Sequence, residues 1–201
     1  GWSNNEEANK LVNELIEYLP RFLKRIKFSE VLTQHDKLAV LQKKLDNIQL
    51  ISHEVWSGFQ IRFPKRWQIN YKKDDSLAAS VKLEEESFVL FFEKTELDIK
   101  IDLKDGDAKV SKLINEMTTN LFLKDQKLKK TENSNYLYSF TVDEIDKSSK
   151  KNHIIINNIW YRIKVQENSL SIISFVFNYN KNNYLRGSLY SEKIHEYISN
   201  S

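Results

Sequence analysis

From about residue 54 the apolar residues stop recurring every three or four positions and begin recurring every second one. That change of period, from helix to half-buried strand, constrains the fold more than any other feature of the chain. Before it, everything reads as helix. Leu11, Val12, Leu15, Ile16 and Leu19 repeat at helical spacing, Pro20 suits the start of a new turn, and Phe22, Leu23 and Ile26 form a second short patch. Thr33 and Asp36 mark a further helix start. After them Leu38, Leu41, Leu45 and Ile48 fall on one stripe, with Lys37, Gln42, Lys43, Lys44 and Asp46 turned to water.

After the change, residues 55–63 read as one strand, alternating at Phe59, Ile61 and Phe63 until Pro64, which cannot donate to a ladder, ends it. Trp67, Ile69 and Tyr71 alternate next, followed by a turn at Asp74-Asp75-Ser76 and a strand over Ala79–Leu83. A charged turn at Glu84–Glu86 leads to Phe88–Phe92, apolar at every position and therefore expected to be a central strand covered on both faces. Leu97, Ile99, Ile101 and Leu103 predict a further strand, and Val110, Leu113, Ile114, Met117 and Leu121 a helix over roughly 107–123. Strands at 128–131, 136–142, 153–166 and 169–179 follow, the last two joined as a hairpin through Asn168-Ser169, and a helix over 191–199 closes the chain with Ile194 and Ile198 on one side. Runs of strands broken by a single central helix exclude βαβ units. The expected fold is α+β: a twisted antiparallel β-sheet packed with helices over 51–201, preceded by an N-terminal helical hairpin or short bundle over 1–50.

Composition narrows the function. Hydrophobic residues make up 40% and charged residues 29% of the 201, a soluble globular balance, and the longest apolar runs (87–92 and 170–177) are far shorter than a membrane-spanning helix. With no cysteine, disulfides, thiolate zinc sites and cysteine nucleophiles are excluded within these residues. The net charge of +3 is evenly spread, with 8 Lys and Arg against 7 Asp and Glu in residues 1–50. A nucleic-acid binder concentrates positive charge, so no nucleic-acid partner is expected. The chain begins without Met. Any leader, lipidated cysteine, peripheral membrane anchor or upstream domain would lie before Gly1, outside this sequence.

The segment Gly58-Phe59-Gln60-Ile61-Arg62-Phe63-Pro64-Lys65-Arg66-Trp67 resembles the opening signature of the PsbP-like superfamily, named for a photosystem oxygen-evolving subunit and including Ran-binding and bacterial lipoprotein members. Physically, the proline stops the ladder and the tryptophan closes the end of the core. The resemblance covers about residues 54–199 and leaves 1–50 outside it. It implies a class of mostly non-enzymatic adaptors, and no one member's partner is carried over.

A search for chemistry finds little. None of His35, His53, His153 and His195 has a second histidine at metal-pair spacing, there is no G-x-S-x-G elbow, and the four glycines are too scattered for a phosphate loop. Counting an EF-hand from Asp102 puts Leu113 where a glutamate is needed, so Asp105-Gly106-Asp107 reads as a strand-to-helix turn with Asp107 as the cap. The basic-aromatic run Lys65–Lys73 has its aromatics at alternate positions, the pattern of a core-facing strand. Lys127, Lys129, Lys130, Lys147, Lys150 and Lys151 read as loop positives that keep the chain solvated or approach an anionic surface. The expectation is a non-catalytic protein-binding adaptor without metal or cofactor, placed in a bacterial cell envelope or surface complex, whose partner protein docks through the N-terminal helices at Leu38, Leu41, Leu45 and Ile48 or on a sheet face. The rival is a small-ligand pocket protein, or a cryptic enzyme, built on a curved sheet.

Overall fold

The computed structural model describes residues 9–10, 28–56, 59–72, 75–83, 88–100, 103–131, 135–148 and 153–201. The expected helices within 11–26, the Glu84–Glu86 turn, Lys150, Lys151 and Asp102 lie outside those residues. The chain divides into two compact units, Gly1–Asp46 and Asn47–Ser201. No described helix is long and apolar enough to cross a membrane.

In the first unit, α1 runs from Phe28 to Asp46. It begins before Thr33 and Asp36, which sit inside it with Asp36 on its exposed side. It also ends before Ile48, so only Leu38, Leu41 and Leu45 of the expected stripe are helical.

The second unit is the α+β fold expected from the sequence. Its strands are β1 (Leu50–Trp56), β2 (Phe59–Pro64), β3 (Gln68–Lys72), β4 (Asp75–Lys82), β5 (Val89–Leu97), β6 (Lys124–Thr131), β7 (Asn135–Asp146), β8 (His153–Val165) and β9 (Leu170–Asn180). Helix α2 (Gly106–Met117) interrupts them and α3 (Tyr184–Ser199) follows them. Strands β3 to β9 make one seven-stranded sheet in the order β3-β4-β5-β9-β8-β7-β6, and every ladder is antiparallel. The sheet is therefore two meanders, β3-β4-β5 and β6-β7-β8-β9, joined along the single non-local seam where Leu90 pairs with Phe177 and Leu97 with Leu170.

Several expectations are corrected. The run 55–63 is two strands of a separate hairpin, β1-β2, with Trp56 opposite Phe59. The strand expected over 97–103 is not formed at residues 98–100: Leu97 ends β5 and takes the last partner that β9 offers, Ile99 is exposed, Leu103 opens a short 3-10 turn, and Ile101 lies outside the described residues. Helix α2 stops at Met117, leaving Leu121 and Phe122 outside it, Phe122 at 91% exposure. Lys127, Lys129 and Lys130 belong to β6, an edge strand, where lysines discourage pairing with another chain.

Register decides which side chains share a face. One face carries Leu90 and Phe92 of β5, Phe175 and Phe177 of β9, and Trp160 of β8. It is closed by the β1-β2 hairpin and α3. Trp56 and Phe59 lie against Phe92 and Phe175, while Tyr190 of α3 meets Phe88 and Trp67. Trp67 is buried among Phe63, Tyr190 and Tyr197, and its backbone N–H donates to the Pro64 carbonyl at 2.9 Å, so proline and tryptophan end the hairpin as the sequence suggested. Arg162 fastens the end of α3, donating from Nη1 to the Ile198 carbonyl at 3.3 Å and to Ser201. The opposite face carries Tyr136, Tyr138, Phe140, Ile163, Val165, Leu170 and Ile172, packed under Val110 and Ile114 of α2. Asp107 is not the cap of that helix: Asp105 holds the cap position, and Asp107 accepts hydrogen bonds from Lys130 at 2.7 Å and from the Tyr136 hydroxyl, pinning α2 to β6 and β7.

Candidate binding trough on the open sheet face

Geometry limits what α2 can cover. Seven strands spaced about 4.8 Å apart span roughly 29 Å, whereas a 12-residue helix is about 18 Å long and about 10 Å across. On the hairpin face two elements share the task. On the other face α2 is the only described helix of this unit against the sheet, and it sits over β7, β8 and one end of β9. The sheet surface beside it stays open as a trough of about 710 Å³. Its apolar wall is Phe91 of β5, Ile159 and Tyr161 of β8, Val176 of β9 and Met117 at the end of α2. Asn70, Ser80, Glu93 and Ser174 supply polar groups across the same surface.

Phe91 is the informative residue. The sequence predicts it covered, and it is 50% exposed although its strand lies inside the sheet. Its neighbours Leu90 and Phe92 point to the hairpin face and are buried. Phe88, Phe92, Phe140 and Trp160 are buried, whereas Phe91 lines the trough. An uninterrupted apolar run signals two covered faces only if the second layer is wide enough, and the sequence carries no mark of that width.

The stripe expected to dock a partner is partly occupied. Leu41 and Leu45 are buried, while Leu38 and Ile48 are half-buried.

The histidines do not assemble into a metal site: among the described residues no three His, Cys, Asp or Glu side chains come together in that way. His195 is the one held in a defined orientation. Its Nδ1 accepts the Trp160 indole N–H at 2.9 Å. An indole nitrogen only donates, so Nδ1 must offer its lone pair and the neutral ring carries its proton on Nε2. Burial holds the imidazole below the ordinary histidine range, and the ammonium groups of Lys127 and Lys129 add to that. No signal in the sequence pairs Trp160 with a residue 35 positions away. Compared with protein-family models and with curated proteins, the chain finds no match.

Proposed function

We propose that this chain is a non-catalytic protein-binding adaptor, and that the trough receives apolar side chains of its partner. The observation carrying this reading is Phe91, half exposed on a strand inside the sheet, with Tyr161, Ile159 and Val176 on the same surface. A phenylalanine fully removed from water contributes about 1.5–3 kcal/mol, so covering the exposed half of this ring is worth about 1 kcal/mol before its neighbours are counted. The arm stripe is the weaker docking surface, because Leu41 and Leu45 are already covered. His195 supports the non-catalytic part. With its Nδ1 lone pair engaged by Trp160, the neutral ring has no lone pair left to accept a proton from a serine, as a general base must.

The test is affinity capture with the chain as bait, comparing wild type, Phe91→Asp and a truncation that begins at Asn47. Loss of the captured protein in Phe91→Asp, with an unchanged circular dichroism spectrum, is the expected result. Capture that survives Phe91→Asp and disappears with residues 1–46 moves the surface to the arm and refutes the trough. The envelope setting belongs to the same proposal, and fractionation of the source cells tests it.

A further inference from the structure

A second concavity, of about 510 Å³, lies on the other face of the sheet, between α3 and the outer strands β6, β7 and β8. Where the trough is apolar, this cleft is lined with hydrogen-bond donors. The Nε2–H of His195 is one, left over once Nδ1 has accepted from Trp160. Asn158 stands on the wall beside it: its Oδ1 accepts from Thr141 Oγ1 at 3.4 Å, and its Nδ2 is buried near the Tyr179 hydroxyl.

The backbone of β6 adds charge to the same place. Lys124 pairs with Thr141 and Lys127 with Ser139, although the two lysines are three residues apart. In a regular strand that spacing would send them to opposite faces. A β-bulge between them, with Asp125 at a φ of 52°, brings both to the cleft. A non-glycine residue seldom adopts that conformation, and such bulges concentrate where a side chain has to be re-aimed. Lys124 is neutralised by Asp143 at 2.5 Å, whereas Lys127 has no ion pair among the described residues. Lys181 stands on the wall as well, and Asp125 and Glu192, both exposed, face it from the rim. Burial first, and then the ammonium groups of Lys127 and Lys129, hold the His195 imidazole below the ordinary histidine range.

We propose that this cleft is a binding site for a small ligand bearing a carboxylate or phosphate group, which the Nε2–H of His195 and the ammonium of Lys127 hold. Both are donors, and an oxyanion supplies acceptor oxygens to each. The site is on the opposite face from the trough, so either can fail without the other.

Titration of the ¹⁵N-labelled full chain with sodium phosphate, and separately with sodium acetate, tests this, with sodium chloride at matched ionic strength as the control. The probe is the Trp160 indole N–H resonance, assigned from a Trp160→Phe spectrum. Saturable movement with phosphate, acetate or both is expected, weakened about tenfold in Lys127→Gln and in His195→Gln. A response to phosphate alone identifies a phosphoryl ligand, and a response to acetate alone a carboxylate. Lys127 is exposed, so its variant folds and keeps the test decisive if His195→Gln does not. Movement matched by chloride, no saturable movement, or undiminished affinity in Lys127→Gln overturns the proposal.

Discussion

Gly187 lies where α3 crosses β9, and replacing it by alanine tests how closely the two pack. A Cβ built there would sit 2.3 Å from both Cγ and Cδ2 of Tyr179. That is roughly 1.2 Å short of the ~3.5 Å at which carbon atoms are in contact. The ring is not free to retreat: it is buried and packed against Phe177 and Tyr184 at centroid distances of 5.7 and 6.4 Å. Two effects oppose each other. Alanine in a helix interior gains about 0.8–1.0 kcal/mol over glycine. Forcing an extra methyl into a filled core typically costs about 1–3 kcal/mol. Overpacking wins, so Gly187→Ala should destabilise the unit by about 0.5–2 kcal/mol, lowering the melting temperature by about 2–4 °C per kcal/mol. The assay is urea and thermal unfolding of four proteins: wild type, Gly187→Ala, Tyr179→Ala and the double variant. Without the ring, Gly187→Ala should reverse sign and stabilise by up to about 1 kcal/mol. A Gly187→Ala that stabilises the otherwise unaltered protein would refute the close approach of α3 to Tyr179.

Asp107 predicts a pH signature. Hydrogen bonds from Lys130 and then Tyr136 hold its carboxyl below the ordinary carboxylate range. Its contribution to stability is therefore present above the unfolded carboxylate pKa and is lost as pH falls through the depressed folded one. Urea midpoints of wild type and Asp107→Asn should differ at neutral pH and converge in acid, and a gap that widens in acid contradicts the pairing. His195 behaves in the same sense: its folded pKa is depressed, so its share of stability is present above the unfolded histidine value and declines as pH falls through the folded one. An NMR titration should find the ring below free histidine and Lys127→Gln should move it upward; a value above free histidine is the opposing result.

How much of this was legible in the sequence depends on the range over which each feature is decided. Locally determined features were readable. The change of period at residue 54, the stop at Pro64, the β8-β9 hairpin and the buried side of α3 at Ile194 and Ile198 all rest on neighbours within a few residues. Errors arose where a pattern needs a distant partner to count. Leu97, Ile99, Ile101 and Leu103 alternate cleanly in the sequence, but β9 begins at Leu170 and its last partner on β5 is Leu97. The split between β1 and β2 had a local signal, the Ser57-Gly58 dipeptide, which the alternation at Phe59, Ile61 and Phe63 concealed. Neither concavity was readable. The trough joins residues from five strands and a helix through register alone, and the cleft depends on one bulge at Asp125. The stripe at Leu38, Leu41 and Leu45 was visible as a pattern, but a pattern does not say whether its residues are already covered.

The seam between β5 and β9 has a consequence for the order in which the sheet is built. Each meander is made of neighbouring hairpins and can form early, from contacts close in sequence. The ladder that unites them begins by bringing Leu97 to Leu170, across the α2 segment and three strands. Such a closure loses chain entropy before any of its hydrogen bonds are made, and chains dominated by distant pairings fold slowly. The seam also carries Phe92 against Phe175, stacked at 5.7 Å, and Leu90 opposite Phe177. Zipping this one ladder is thus expected to limit the folding rate, so that trimming Phe175 slows refolding while trimming the β6-β7 edge mainly hastens unfolding. Until the seam closes, β5 and β9 are both bare apolar edges, and the chain is most exposed to self-association in that interval.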